Sequence, residues 1–339
     1  MNITSLQHFA DNPTVNVTTD SKLSAENKTF YDRALVEKAG PNLIHGQFGQ
    51  KRPIPKNGGK RIQFRRYASL PKALKPLTEG VTPEGRKLSA TAVEAEVNQY
   101  GDFVCLSDVL DLTAIDNNVL EATKAVGRQA GLTLDTITRN VLQSGTNVFY
   151  CPKVGANGVQ TPVTDRSGLD KTCTLTVDVV KKVAAMLKAA NAPKIDGDYV
   201  CILHPYVAYD IMSDPRWEEM HKYTTPENMY QGEIGRIAGV RFVETSEAAV
   251  YKGTENSCPT GLAVFGCLFI AQGAYGVTEV TGGGLQTIIK QLGSAGTADP
   301  LDQRSTVGWK ALQTAEILME PYMVRVECCS AFSPTAEAN

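Results

Sequence analysis

The chain is poor in the groups that most active sites need. It has four histidines, His8, His45, His204 and His221, and none stands at HExxH or related zinc spacing. Aromatic content is 7%, and the two tryptophans, Trp217 and Trp309, read as core or interface residues rather than stacking platforms. The eight cysteines, Cys105, Cys151, Cys173, Cys201, Cys258, Cys267, Cys328 and Cys329, form no CxxC pair. Several sit in apolar runs such as YVCIL and VFGCLFI, so reduced, buried thiols are expected. Cys328 and Cys329 would face opposite sides of a strand, which disfavours a bond between them. The longest apolar run, LAVFGCLFIAQGAYGV, is too short and too interrupted by glycine to span a bilayer. The opening MNITSLQHFADNPTVNVTTD lacks a basic segment followed by an apolar one, so it does not read as a secretory signal. The sequons at Asn2, Asn16 and Asn27 then carry no meaning, and a soluble product of cytosolic origin is expected.

Nucleotide and nucleophile motifs are missing as well. NGGK invites a phosphate-loop reading, but Lys60 is followed by Arg61 and the first glycine position holds Ile54. Gly58 and Gly59 fit a turn into a strand better. GEIGRIAG has GxxGxxxG rather than GxGxxG spacing. Gly282, Gly283 and Gly284 precede no clear helix, and no GxSxG elbow occurs. His204, before Pro205 at a strand end, reads as a turn histidine making one hydrogen bond. Nothing calls for a catalytic group, a metal or a cofactor.

One further absence is local. Between Glu37 and Glu79 there is no acidic residue. The interval holds Lys38, Lys51, Arg52, Lys56, Lys60, Arg61, Arg65, Arg66, Lys72 and Lys75. With 34 basic and 36 acidic residues overall, this block is a local feature and not a global nucleic-acid signature.

What is present is a globular chain of 339 residues with 42% hydrophobic content, suited to two domains or to one with large insertions. Residues 1 to about 25 are polar with almost no periodicity, and a short helix is expected over Glu26–Ala39, with Phe30, Ala34 and Leu35 on one face. RIQFRRY alternates, with Ile62 and Phe64 on one face; TAVEAEVNQY alternates again through Val93, Ala95 and Val97. The proline- and glycine-rich stretch between them suits a long loop. The two strands form a protruding hairpin in which Arg61 and Arg65 oppose Glu94 and Glu96. LTAIDNNVLEATKAVGRQAGLTLDTITRNVLQSG predicts the longest helix, roughly 45 Å, with an apolar stripe through Ile115, Val119, Ala122, Val126, Ala130, Ile137 and Val141. Thr113 is its expected cap and Gly145 its end. TVDVVKKVAAMLKAA predicts a second amphipathic helix, YVCIL a buried strand, PYVAYDIMSD a short helix, and RFVET and Tyr322–Cys328 further strands.

Ordered motifs in this chain resemble those of tailed-bacteriophage major capsid proteins. They are FYDRALVEKAGPNLIHGQFGQKRPIPKNGGKRIQFRRYASLPKALKPLTEGVTPEG, then YGDFVCLSDVLDLTAIDNNVLEATKAVGRQAGLTLDTITRNVL, then GEIGRIAGVRFVETSEA. The resemblance covers about residues 28 to 330. It implies an α+β chain with the Hong Kong-type capsid fold. Residues 1–47 would be the N-arm, 48–105 the extended-loop hairpin, and 106–171 the peripheral domain with its spine helix. Residues 172–285 would be the axial domain, and 286–339 the return to the peripheral domain. The implied function is structural and non-enzymatic: self-assembly into the icosahedral head that encloses double-stranded DNA, in the virion, after assembly in the host cytoplasm. Implied partners are further copies in pentamers and hexamers, portal, scaffold and decoration proteins, and DNA enclosed without sequence-specific binding. Arg52, Lys60, Arg65 and Arg66 are the candidate intersubunit contacts, because arginine forks pair well with carboxylates across interfaces. Two rival classes stay open at this point: a nucleic-acid-binding module using the basic block, and an enzyme using His204.

Overall fold

A computed structural model describes residues 43–53, 60–67, 70–77, 79–82, 85–113, 118–155, 157–217, 235–279, 284–294 and 299–339. The expected helix over Glu26–Ala39, the turn at Gly58 and Gly59, and His8, His221, Gly282 and Gly283 lie outside these residues. The first half of the chain runs β1 (Gln50–Lys51), β2 (Arg61–Tyr67), β3 (Ala90–Glu96), β4 (Asn98–Ser107), α1 (Asp108–Thr113), α2 (Asn118–Gln143), β5 (Val148–Tyr150), β6 (Lys153–Val154) and β7 (Gln160–Thr161). It continues with α3 (Val177–Ala189), β8 (Tyr199–Leu203), α4 (Pro205–Met212), β9 (Arg236–Ile237), β10 (Val240–Glu244), β11 (Val250–Tyr251), β12 (Val264–Ile270), β13 (Tyr275–Glu279), β14 (Gln286–Lys290), β15 (Arg304–Ile317) and β16 (Met323–Cys328).

Two compact units divide the chain. The larger comprises Leu43–Tyr100, Leu132–Gly284 and Leu312–Asn339. Its centre is a mixed sheet in the order β5-β16-β12-β8-β10-β9, with β11 beside β12. YVCIL is apolar at every position because this strand is covered on both faces. Successive side chains alternate, so Tyr199, Cys201 and Leu203 enter one core and Val200 and Ile202 the other. The first core is closed by α3 through Val180, Val183, Ala184 and Leu187, the predicted stripe, and by Val207 and Ile211 of α4. Each large aliphatic side chain buried there contributes about 1.5–3 kcal/mol. Asp214 caps α3 from a distance: its Oδ2 accepts from the Val177 N–H at 3.1 Å. The second core holds Leu142, Leu268, Ile270, Tyr275 and Met323. In the tight turn between β9 and β10, Ala238 and Gly239 have φ of 56° and 78°, the paired positive angles that a two-residue hairpin requires.

A buried charge cluster ties the connection after β7 to this sheet. Glu327 is fully buried and accepts from Arg166 Nε and Nη2, both at 2.6 Å. Arg325 Nε lies 3.0 Å from the same carboxylate. The Arg166 guanidinium stacks 3.9 Å from the Tyr251 ring centroid, and its Nη1 donates to the Asn256 carbonyl at 2.9 Å. The carboxylate bond raises the Arg166 pKa further, so the pair stays charged.

The described part of the smaller unit lies within Gly101–Gly131 and Leu285–Ala311. Here β14 pairs antiparallel with residues 306–310 of β15. Trp309 is buried, as expected, and its Nε1 donates to Gln129 Oε1 at 3.3 Å. Gln129 in turn donates to Asp102 Oδ2 at 2.6 Å, and that bond holds the Asp102 carboxyl below its usual range.

The long helix is real, but it differs from expectation in two ways. Thr113 is itself helical, the last described residue of α1, rather than a cap, and α2 as described from Asn118 has 26 residues, about 39 Å long. Its buried line runs through Thr123, Val126, Ala130, Leu134, Thr138 and Leu142, while Ile137 and Val141 are only half-buried. Thr123 and Thr138 can enter the core because each hydroxyl donates to the carbonyl four residues back, Val119 at 2.7 Å and Leu134 at 3.1 Å. Val126 and Ala130 of the expected stripe lie on this line, so counting apolar residues alone finds part of the buried face and rotates the rest off it.

All eight cysteines are free; seven are buried, and Cys105, against expectation, is exposed. Burial pushes the Cys329 thiol up to about 12 and raises that of Cys201, so these groups stay protonated and inert. Trp217 is a core residue against Phe242, at 5.4 Å between ring centroids. His204 caps α4: its Nδ1 accepts from the Tyr206 N–H at 3.2 Å.

Candidate assembly site

The β2–β3 hairpin begins from a root built like a core. The segment before β1 is fixed to α2 by His45, which is fully buried. Its backbone N–H donates to Asp135 Oδ1 at 2.7 Å, and its Nδ1 lies 2.6 Å from Asp135 Oδ2. The Tyr275 hydroxyl donates to the His45 carbonyl, and burial pushes the tyrosine pKa upward. β1 then adds to β13 in parallel, Gln50 beside Gly276 and Lys51 beside Val277.

The hairpin folds back onto the same strand. Phe64 is 3% exposed and packs against Gly276, where a Cβ would stand 2.6 Å from the ring. Only glycine permits that approach. Ala95 and Val97 are buried on the same face as Phe64, as the alternation predicts. The register is Arg61 opposite Glu96, Gln63 opposite Glu94, Phe64 opposite Val93 and Arg65 opposite Ala92. The expected charge pairing is therefore half right. Arg61 meets Glu96, but Glu94 is taken by Gln63, whose Nε2 donates to Oε1 at 2.6 Å, and Arg65 has no carboxylate directly across.

The four candidate contact residues spread along this structure. Arg52 sits at the root: its N–H donates to the Val277 carbonyl at 3.2 Å, and its exposed guanidinium passes 5.9 Å from the Phe64 centroid. Lys60 is exposed at the entry to β2, where its carbonyl accepts from Val97 at 2.9 Å. Arg65 is exposed on β2. Arg66 pairs in register with Thr91, and its side chain lies outside the described residues. The root thus anchors Arg52, while Lys60 and Arg65 lie along the strand.

Sequence reading concentrated on charge and missed the apolar half of the site. Beyond β2 the chain exposes Leu70, Leu74, Leu77, Val81 and Leu88 at 55, 83, 77, 62 and 62%. Isolated apolar side chains at the surface are ordinary, but four leucines and a valine within one loop are not. The signal was present as LPKALKPL, whose leucines are spaced among prolines and lysines with no core pattern to place them.

A family model described as phage capsid protein matches residues 97–278. The chain belongs to the phage capsid protein family. Its role is accordingly structural, not catalytic. No curated protein matches the sequence. Solved capsid structures share the fold. The capsid of cyanophage P-SCSP1u is 12% identical over 84% of this chain and 87% of that one, with a TM-score of 0.62. The capsid of Ralstonia phage GP4 is 15% identical over 87% and 90%, at 0.61. The capsid asymmetric unit of cyanophage Pam1 is 13% identical over 87% and 93%, at 0.66. The fold is the α+β, Hong Kong-type capsid fold that the sequence motifs implied.

Proposed function

We propose that the protein is the major capsid protein of a tailed bacteriophage. It self-assembles into the icosahedral head that encloses the double-stranded DNA genome, in pentamers and hexamers of itself. One observation carries the assembly reading: a hairpin with a core-grade root ends in a loop that leaves five large apolar side chains in water. A subunit that works alone gains nothing from that arrangement, because a two-stranded arm is marginal in water and needs a surface to lie on. A second copy supplies it. Residues 48–105 then act as the extended loop, 1–47 as the N-arm, 106–171 and 286–339 as the peripheral domain, and 172–285 as the axial domain.

Arg52, Lys60, Arg65 and Arg66 take part as intersubunit contacts. The register supports Arg65 in particular, since its direct cross-strand neighbour is Ala92. Assembly takes place in the host cytoplasm, with portal, scaffold and decoration proteins as partners, and DNA is enclosed without sequence readout. Negative-stain microscopy of the purified protein tests the reading. Icosahedral or tubular particles are expected; a dispersed monomer at every concentration overturns it. Reversing Arg65 and Arg66 to glutamate should reduce particle yield while leaving the subunit folded. Unchanged assembly counts against their contact role.

A further inference from the structure

We propose that the open edge of β5 takes up residues 13–19 of a second copy of the chain as an added strand; the inference rests on the shell-subunit reading. β5 ends the seven-stranded sheet, with β16 on one side only among the described residues. The pairing is parallel. The Arg325 N–H donates to the Asn147 carbonyl and the Cys151 N–H to the Glu327 carbonyl, both at 3.0 Å. That ladder turns the backbone polar groups of Phe149 toward β16 and those of Val148 and Tyr150 toward the open side. β5 also lines a groove of about 490 Å³, together with Pro162, Val163 and Lys182 among others. β5 itself, VFY, carries none of the charged or proline residues that guard a bare edge. An unguarded edge beside an apolar groove is the arrangement that accepts an extended segment: backbone bonds supply affinity and alternate side chains fill the groove.

The chain has a segment of matching chemistry. From Thr19 to Leu43 the chain takes 24 steps, and with the expected helix over Glu26–Ala39 at about 1.5 Å per residue and the rest extended at about 3.3–3.6 Å it can span roughly 55 Å, enough to reach a neighbouring copy. PTVNVTT, which ends at Thr19, places Val15 and Val17 at alternate positions, with Thr14, Asn16 and Thr18 between. β-Branched residues at 14, 15, 17, 18 and 19 favour an extended strand. The two valines suit the groove, and the three polar residues suit water. Asp11 and Asp20 flank the run with no basic residue between them, and the charged side chain lining the groove, Lys182, is already paired with Asp178 at 3.0 Å, so the fit rests on the valines rather than on charge. A segment passed from each copy to the next covers every edge in a closed ring of subunits.

The test uses the full chain with Thr164, exposed on the groove rim, replaced by a benzophenone photo-cross-linking amino acid. Particles are assembled from equal amounts of isotopically heavy and light protein, irradiated, digested and read by mass spectrometry. The expected products join the position-164 peptide to one containing residues 11–20, with mixed-isotope pairs about half of the total, as random exchange between equal copies requires. Val15→Asp with Val17→Asp should lower that yield roughly fivefold or more, with the melting curve unchanged. Capture of another segment, pairs of one isotope only, or no capture from intact particles each overturns the inference and leaves the shell reading standing. Failure of the unmodified chain to form particles overturns the shell reading itself, and this inference with it.

Discussion

At the residue scale, the contact between Phe64 and Gly276 holds the hairpin to the body of its unit. Any side chain at 276 would meet the ring, since even a Cβ falls 2.6 Å from it. Gly276→Ala is expected to cost about 1–3 kcal/mol through overpacking, and to lower hydrogen-exchange protection across Arg61–Tyr67 before it lowers protection in β8 or β12. Phe64→Ala should cost about 3–5 kcal/mol by leaving a cavity. The double variant should cost less than the sum, because the smaller side chain leaves room for the new methyl. Additive costs would mean the two residues are not in contact. Glu327 presents a different case. Glu327→Gln removes the one carboxylate that, among the described residues, faces both Arg166 and Arg325, and leaves two arginines underpaired in a buried site. A loss of about 3–5 kcal/mol is expected in denaturant titration; a change under 1 kcal/mol would show that the cluster is hydrated.

At the element scale, α4 depends on a neutral histidine. His204 Nδ1 must keep its lone pair to accept the Tyr206 N–H, and burial lowers the His204 pKa. A base whose folded pKa lies below its unfolded value of about 6.5 contributes stability that is fully present above that value. The contribution is lost as pH falls through the lowered folded pKa. Denaturation midpoints should therefore drop on acidification from pH 7 toward 5. In His204→Asn, which keeps a capping side chain without a titrating group, this part of the drop should vanish; an equal drop in both proteins would assign the acid sensitivity elsewhere. Elements were legible wherever a period was clean. YVCIL follows from its unbroken apolar run, and the α3 stripe and the two hairpin strands follow from spacing. The α2 face followed only in part, because buried threonines satisfied by their own helix look polar in sequence. The partner of Arg65 did not follow, because alternation assigns faces and leaves the register open until the turn is set. The buried pair His45–Asp135, 90 residues apart, leaves no local mark at all.

At the scale of the whole molecule, the scarcity of catalytic spacings in the sequence and the shape of the hairpin express the same design. A protein whose work is to contact copies of itself needs no convergent polar site, and it must carry apolar surface that its own fold leaves uncovered. Leu74 and Leu77, 83% and 77% exposed, are that surface in the isolated subunit. Their replacement by serine removes no packing from the monomer, so its folding stability should stay within about 0.5 kcal/mol. In the shell each leucine that is seated on a neighbour contributes about 1.5–3 kcal/mol, and the pair amounts to roughly 100- to 10,000-fold in each association step. Leu74→Ser with Leu77→Ser should therefore leave the melting temperature of the subunit in place. The concentration at which particles appear by sedimentation or light scattering should rise steeply. Because every subunit in a shell is held by several such contacts at once, the loss multiplies across the lattice and the transition should shift as a whole rather than broaden. An unchanged threshold would mean that the loop tip stays in water in the assembled head, and the leucines would then need a partner other than a second copy.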